Sequence, residues 1–475
     1  MSGIKLRDLS RRLLPLSDRG NYSPLPTSSQ NSTQQQRRKF LYLALPALVI
    51  LYWLFKPSSA PRWDESYVKN PYVCSPRPAF GSIEQLCDAW QPPGKGSGVE
   101  DLGRWDLAVD RHLNEEQCEM VFDKRNWIEA DRAASYFKRR GGISSSDLDK
   151  AMERGANARG VILRNRFYVK DYRGGQGTRT LATLAAINQA VLTSLHPVPD
   201  IEFVIQTTDT GDASLGLPIW VLGRKEREEH LWLMPDYSWY SWPEPGVGSF
   251  QEVADQCLER EAGLTWKTKL TSLFWRGALL IPIRREFMEL ANKFEWGKDI
   301  MEINWGSPKD VLKTQAEHCD YKFLGHVEGF AASGRLKYIL QCRSVTVAYK
   351  MEYLQHFHHL FDTSPTSKTQ NMVEFKDLKE LPNIMQDLIQ YEDKAERIAN
   401  TSFEFFRKNL SPSAVDCYWR RLFKRWAEVQ NFQPMLNPRT PSYNSFRSVL
   451  PLYASSVLRL RGYNSLTHQV EWDPH

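Results

Sequence analysis

The sequence lacks an excess of charge of either sign. Its 62 lysines and arginines are nearly matched by 56 aspartates and glutamates, leaving a formal net charge of +6 over 475 residues. That balance argues against a nucleic-acid partner, which would need a basic face. Cysteine is also sparse: Cys74, Cys87, Cys118, Cys257, Cys319, Cys342 and Cys417 are too scattered for a zinc site of the C-x-x-C type. No internal repeat, P-loop or G-x-S-x-G nucleophile elbow is present, which removes the chemistries those patterns carry.

What is present starts with an asymmetric N-terminus. Lys5, Arg7, Arg11, Arg12, Arg19, Arg37, Arg38 and Lys39 outweigh Asp8 and Asp18 in a Ser- and Gln-rich stretch that reads as a disordered cytoplasmic tail, 1–39. It is followed by FLYLALPALVILYWLF, Phe40 to Phe55, without one charged residue. As a helix this run reaches ~24 Å, close to the thinner bilayers of the early secretory pathway. With basic residues on its N-terminal side, a membrane anchor at 40–55 places everything after it in the lumen. All seven cysteines follow the run, so disulfides are permitted, their odd number leaves at least one free thiol, and their pairing stays open. Asn400 and Asn409 head glycosylation triplets, the second weakened by Pro412.

Residues 56–105 are rich in Pro, Gly and Ser and read as a lumenal stem. The compact region divides into an N-terminal lobe, 106–255, and a C-terminal lobe, 256–432, with an extension at 433–475. Each lobe alternates strand with helix. In the first, 160–170 reads as a strand, 178–195 as a helix burying Leu181, Leu184, Ala185, Asn188, Val191, Leu192 and Leu195, and 201–208 as a strand. In the second, 322–329, 334–342 and 344–349 repeat that order. Such alternation implies α/β lobes with largely parallel sheets, whose ligands sit at the carboxyl ends of strands.

Candidate chemistry falls at those ends. In HVEGFAASGRLKYILQC, Gly329, Ala331, Ala332 and Gly334 let an anion approach the backbone, and Ser333 suits an N-cap. Arg335 and Lys337 supply charge to a phosphate. Arg276, in LFWRGALLIPIRREF, offers a second guanidinium. Asp171 follows a strand and precedes a glycine-rich turn, where a carboxylate can serve as general base; Asp209 closes the next strand. Trp232, Tyr237, Trp239, Tyr240 and Trp242 form an aromatic cluster that suits a sugar or a core. His356, His358 and His359 lack a standard metal-ligand spacing. Asp147-Leu148-Asp149 is formally a D-x-D, but its acids fit a helix start.

Taken together, FLGHVEGFAASGRLKYILQCRSVTVAYKMEYLQHFHHLF, NRFYVKDYRGGQGTR, IEFVIQTTD and LFWRGALLIPIRREF resemble glycosyltransferase family 90, the family of the fungal capsule-associated xylosyltransferase and the animal protein O-glucosyltransferases. The resemblance covers about residues 120 to 430. It implies a GT-B fold, two Rossmann-like lobes facing across a cleft, preceded here by a single transmembrane helix. It also implies inverting transfer from UDP-xylose or UDP-glucose to a hydroxyl of a glycan or glycoprotein, with no metal or other cofactor. By position, Asp171 is similar to the family's catalytic base. Arg276, Gly329, Ser333 and Arg335 match its diphosphate cradle, Glu352 a position beside the uridine ribose, and Asp209 the sugar side of the cleft. The chain ends VEWDPH rather than in an endoplasmic-reticulum retention signal. With the N-terminal anchor, this favours a type II protein of the Golgi, or endoplasmic reticulum, membrane. The glycine-rich turn after Asp171 stands where glucosyltransferase relatives carry cysteines. The alternative is a non-catalytic, membrane-anchored carbohydrate-binding protein on a decayed transferase fold.

Overall fold

A computed structural model describes residues 110–446, with short gaps at 175–176, 212–214, 243–246, 305–306, 308–310 and 438, and the strands Leu460–Asn464 and Gln469–Trp472. The expected tail, anchor and stem, with Cys74 and Cys87, lie outside the described residues. Among the described residues no helix is long and apolar enough to cross a membrane.

Three helices, α1 (Glu115–Val121), α2 (Ile128–Lys138) and α3 (Ser145–Glu153), precede the strands β1 (Ala158–Leu163) and β2 (Arg166–Tyr172). Helix α4 (Gly177–Leu192) leads to β3 (Ile201–Ile205), then to the short β4 (Trp220–Val221), β5 (Arg224–Lys225) and β6 (Trp232–Leu233). The second half runs through α5 (Phe250–Ala262), β7 (Leu270–Gly277), α6 (Pro282–Ala291), β8 (Ile300–Glu302), β9 (Tyr321–His326), α7 (Leu336–Ile339) and β10 (Val345–Tyr349). It ends with β11 (Tyr353–Leu354), β12 (Val373–Phe375), α8 (Leu381–Gln390), α9 (Glu392–Asn409) and α10 (Pro412–Ala427).

The first sheet has the order β2-β1-β3-β4-β6 and is mixed; the second, β12-β10-β9-β7-β8, is parallel throughout. The sequence expectation of one strand over 160–170 is therefore corrected to a hairpin. Arg164 and Asn165 both take positive φ, 51° and 59°, the requirement of the two-residue turn whose twist matches the flanking strands. Asn165 Oδ1 accepts from Val198 N–H at 3.1 Å, which ties down the turn. The helix face is corrected as well: α4 stops at Leu192, and Leu192 and Leu195 are exposed, while Thr180, Thr183 and Ile187 are buried.

Strands β9 and β10 are buried along nearly their whole length, as expected of a parallel sheet covered on both faces. Alternation then divides the side chains between two cores. Leu273, Trp275, Phe323, Val345 and Val347 join Phe287, Phe375 and Ile398 on one face. Phe274, Leu324 and Ala348 meet the larger core on the other. The last long helix, α10, does not stay with the second sheet as a 256–432 lobe would require. It packs on the first sheet: Trp426 Nε1 donates to Glu202 O at 3.0 Å and Tyr418 Oη to Leu233 O at 2.7 Å. Trp220 stacks on Phe203 with centroids 4.0 Å apart and meets Trp426 edge-on at 5.4 Å. A short antiparallel ladder, Tyr353 opposite Lys225 and Leu354 opposite Arg224, joins the two halves again.

Cys118 is bonded to Cys417, fastening α1 to α10 across 299 residues of sequence, and Cys319 is bonded to Cys342. Cys257 is buried with a free thiol. Because the first bond closes so long a loop, replacing Cys118 and Cys417 together with alanine should lower stability by about 2–5 kcal/mol. Thermal unfolding under non-reducing conditions would read this as a lower Tm; an unchanged Tm would mean the unfolded chain gains nothing from release of the loop. Asn409 is corrected as a glycan acceptor. It is buried, its Oδ1 accepts from Asp123 N–H at 2.7 Å and its Nδ2 donates to Phe405 O at 3.0 Å.

Candidate functional site

The carboxyl ends of β7 and β9 lie side by side in the parallel sheet. Past them, Val327–Gly334 forms the turn into α7, and Pro282, at the first position of α6, starts a helix whose first turn carries Arg284. This turn and residues 236–242 of the first half enclose a cavity of ≈ 180 Å³. Its walls include Arg179, Asp209, Asp236, Tyr237 and Trp242 on one side, with Arg284, Gly329, Phe330, Ser333 and Gly334 on the other.

Three guanidinium groups crowd this edge of the second sheet. Arg284 is buried and donates to the backbone oxygens of Glu328, Ala278 and Val327 at 2.7, 2.8 and 3.1 Å. Arg276 is 9% exposed, donates through Nη1 to Asp299 O at 3.2 Å and has a buried Nε without a partner. Arg335 donates through Nη2 to Arg276 O. Trp275 lies between two of them, its ring 5.5 Å from Arg284 and 5.6 Å from Arg335, close enough for the ring face to favour the cations. Glycine makes the room: a Cβ on Gly277 would stand 2.7 Å from the Trp275 ring and 3.3 Å from Arg335 Nη2, and one on Gly329 3.2 Å from Arg284 Nη2.

Among the described residues no carboxylate forms an ion pair with any of the three. Glu328, the acid acting on Arg284, instead accepts backbone N–H groups of Glu352 and Tyr353 at 2.9 and 3.0 Å, and burial pushes its pKa up. Burial, then repulsion from Arg284, pushes Arg335 down to about 9, and burial takes Arg284 to about 10. Both remain cations at neutral pH. An excess of positive charge largely removed from solvent is the arrangement that binds a polyanion.

The residues expected from sequence divide into three groups. Gly329, Ser333 and Asp209 line the cavity. Arg335 and Arg276 stand next to it, linked to each other. Asp171 and Glu352 are elsewhere. Asp171 ends β2, is partly exposed and pairs with Arg173 at 3.4 Å. It shares an edge of the first sheet with Asp209, because β2 and β3 run the same way on either side of β1. Glu352 faces Lys225 of the first half at 3.7 Å. Asp209 pairs with Arg179 at 2.8 Å, and Arg179 lies 5.0 Å from the Tyr237 ring.

Two local expectations at the turn are corrected. The helix expected at 334–342 is α only over Leu336–Ile339, Arg335 stands at its N-cap, and Ser333 makes no side-chain cap. One turn of helix has little dipole, so attraction for an anion rests on the arginines. Lys337 is not free to meet phosphate: it is buried and bound to Asp236 at 2.9 Å. Sequence reasoning missed Arg284, although the Pro282 that begins α6 could have signalled it. Asp147 caps α3 through Ser144, and Asp149 pairs with Arg159. His358 Nδ1 accepts from Gln355 N–H at 2.9 Å, while His359 meets Glu129 at 2.7 Å. Cys257, Cys319 and Cys342 bring three sulfurs within 4.8 Å, but two are bonded to each other.

Three buried histidines, His318, His326 and His356, and the half-buried His358 belong to the second half. His318, His326, His356 and His358 are each pushed down to about 3, burial being the first cause in all four. The unfolded chain takes up these protons near pH 6.5 and the folded protein only near 3. Their contribution is therefore complete above about 6.5 and falls by ~1.4 kcal/mol per pH unit for each as pH drops toward 3. Denaturant unfolding should show proton uptake rising from about a quarter at pH 7 to about one at pH 5 for each of these residues. Equal stability at the two pH values would contradict it.

A sequence profile of glycosyl transferase family 90 matches residues 114–444. Among curated relatives, the O-glucosyltransferase rumi of Drosophila melanogaster is 23% identical over 53% of this chain and 66% of its own length. Protein O-glucosyltransferase 1 of Homo sapiens is 24% identical over 72% of this chain and 90% of its own. Protein O-glucosyltransferase 2 of Danio rerio is 23% identical over 78% and 71%.

Proposed function

Starting from the chain's membership of glycosyltransferase family 90, we propose that it moves glucose or xylose from a UDP-sugar to a hydroxyl of a glycan or glycoprotein. The observation that carries the donor class is the trio Arg276, Arg284 and Arg335, two buried and one half-buried, none of them in an ion pair with a carboxylate among the described residues. A nucleoside diphosphate brings the missing negative charge, and Ser333 and the Gly329 backbone border the space it would fill. In this reading the two halves act as GT-B lobes, with the donor on the second. The acceptor oxygen attacks the anomeric carbon as its proton passes to Asp171, and the bond to the diphosphate oxygen breaks with inversion. The arginines receive the charge that develops on the leaving group, a task a divalent cation performs in other enzymes, so chelation with EDTA should leave the rate unchanged. The matched relatives act as O-glucosyltransferases by name, which favours glucose over xylose. An anchor at 40–55 would make this a type II protein of the Golgi or endoplasmic reticulum with its site in the lumen.

The deciding experiment is calorimetric titration of the purified protein with UDP, followed by donor hydrolysis across UDP-glucose, UDP-xylose and other UDP-sugars. Binding of UDP with turnover of one donor supports the reading. Glycan binding without UDP binding would instead indicate the decayed, non-catalytic alternative.

A further inference from the structure

The buried contact between Lys337 and Asp236 lies beside the cavity, whose lining includes Asp236 and Gly334. Lys337 Nζ donates to Asp236 Oδ1 at 3.1 Å, Oδ2 at 2.9 Å and Gly334 O at 3.0 Å, so its three donors are all used. The side chains are 1% and 6% exposed. Asp236 does more than balance this charge. Its Oδ1 also accepts from Ser238 N–H at 2.8 Å, capping the short helix Tyr237–Trp239. Thus one carboxylate sets both the start of the aromatic wall and the head of Lys337.

Around the pair, the fit between wall and turn is close. Tyr338 Oη donates to Ser238 O at 3.3 Å, and Lys337 Nζ lies 5.5 Å from the Trp239 ring. A Cβ on Gly334 would stand 3.7 Å from Trp242. Lys337 and Arg335 are two residues apart on the same turn, and Lys337 also holds the carbonyl of Gly334, the residue between Ser333 and Arg335. Displacement of the ammonium therefore moves the backbone from which Ser333 and Arg335 project.

We propose that Lys337 is a positioning residue for the donor: its bond to Asp236 fixes the Ser333–Arg335 turn against the aromatic wall and so sets the geometry of the diphosphate site. The proposal rests on the UDP-sugar reading above. It reverses the direct phosphate role that sequence assigns to Lys337, since a fully engaged buried ammonium offers the ligand no donor.

The test uses full-length protein and UDP. Lys337→Met should raise the Kd for UDP and the donor KM by about 10- to 100-fold, the scale of a misplaced binding group, with a smaller change in kcat. That single change also strands a buried carboxylate and lowers Tm. Asp236→Asn/Lys337→Met removes both charges while leaving Asn able to cap, so Tm should recover; Kd should stay raised because the tether is still gone. A folded Lys337→Met protein with unchanged Kd would overturn the proposal. So would a double variant whose Kd returns with its Tm, the result for a pair that only stabilises. If Lys337→Met does not fold, Asp236→Asn alone decides by the same reading of Kd. Failure of the wild-type protein to bind UDP would remove the donor reading itself, and this inference with it, an outcome distinct from normal UDP binding in every variant.

Discussion

Arg335→Met should weaken UDP binding by about two orders of magnitude, the scale of losing one preorganised charge-stabilising donor, and leave Tm unchanged or raised. These opposite directions follow from the same fact. Arg335 is held at an edge of the sheet with Arg276 O as its partner and Arg284 as a repelling neighbour, half-buried and with loss of solvent disfavouring its charge. A buried cation without a counter-ion is a cost to the unliganded fold, and an apolar side chain of similar reach removes it. The same cation becomes favourable when a diphosphate arrives. Arg284→Met should behave alike, losing in addition three bonds to backbone oxygens, and so should give less stability back. Thermal unfolding with and without UDP measures both effects. Saturation of the wild-type protein at about 100 times Kd should add ~2.7 kcal/mol, and the Arg335 variant should show no such gain at that concentration. Undiminished UDP stabilisation in the variant would remove Arg335 from the site.

Asp171→Asn is expected to reduce transfer by about 10²- to 10⁴-fold, the contribution of a general base, with UDP affinity unchanged. The substitution keeps size and removes proton affinity. Asp171 stands at the first sheet's edge, apart from the arginine cluster, and its partner Arg173 is itself partly exposed, so stability should change little. Asp209→Asn is the necessary comparison, because Asp209 lines the cavity and is held by Arg179. Its loss should change donor or acceptor KM more than kcat. If turnover instead survived in the Asp171 variant and collapsed in the Asp209 variant, the base would be Asp209.

The contrast between those two aspartates shows how far sequence reading reached. Both were legible as carboxylates closing strands, and parallel strands do present such residues at one edge. Their positions relative to the cavity were not legible, because they depend on a hairpin at Arg164–Asn165 within residues that read as a single strand. Ser333 and Gly329 were found from small-residue spacing at a strand end. Arg284 was overlooked because a basic residue in the first turn of an amphipathic helix ordinarily faces solvent.

By itself, the sequence determined the α/β class, the strand-helix-strand order of β9, α7 and β10, the family and the turn that borders the cavity. All of these are local patterns, set by period, by glycine placement and by side-chain chemistry along contiguous residues. Tertiary structure alone decided which charges are paired. Lys337 and Arg335 look equivalent two residues apart in the chain, yet one meets Asp236 across 101 residues of sequence and the other meets a backbone oxygen, the Trp275 ring and another cation. Charge pairing depends on contacts between distant segments. For that reason the site's excess positive charge, on which its proposed chemistry rests, becomes visible only in the folded chain.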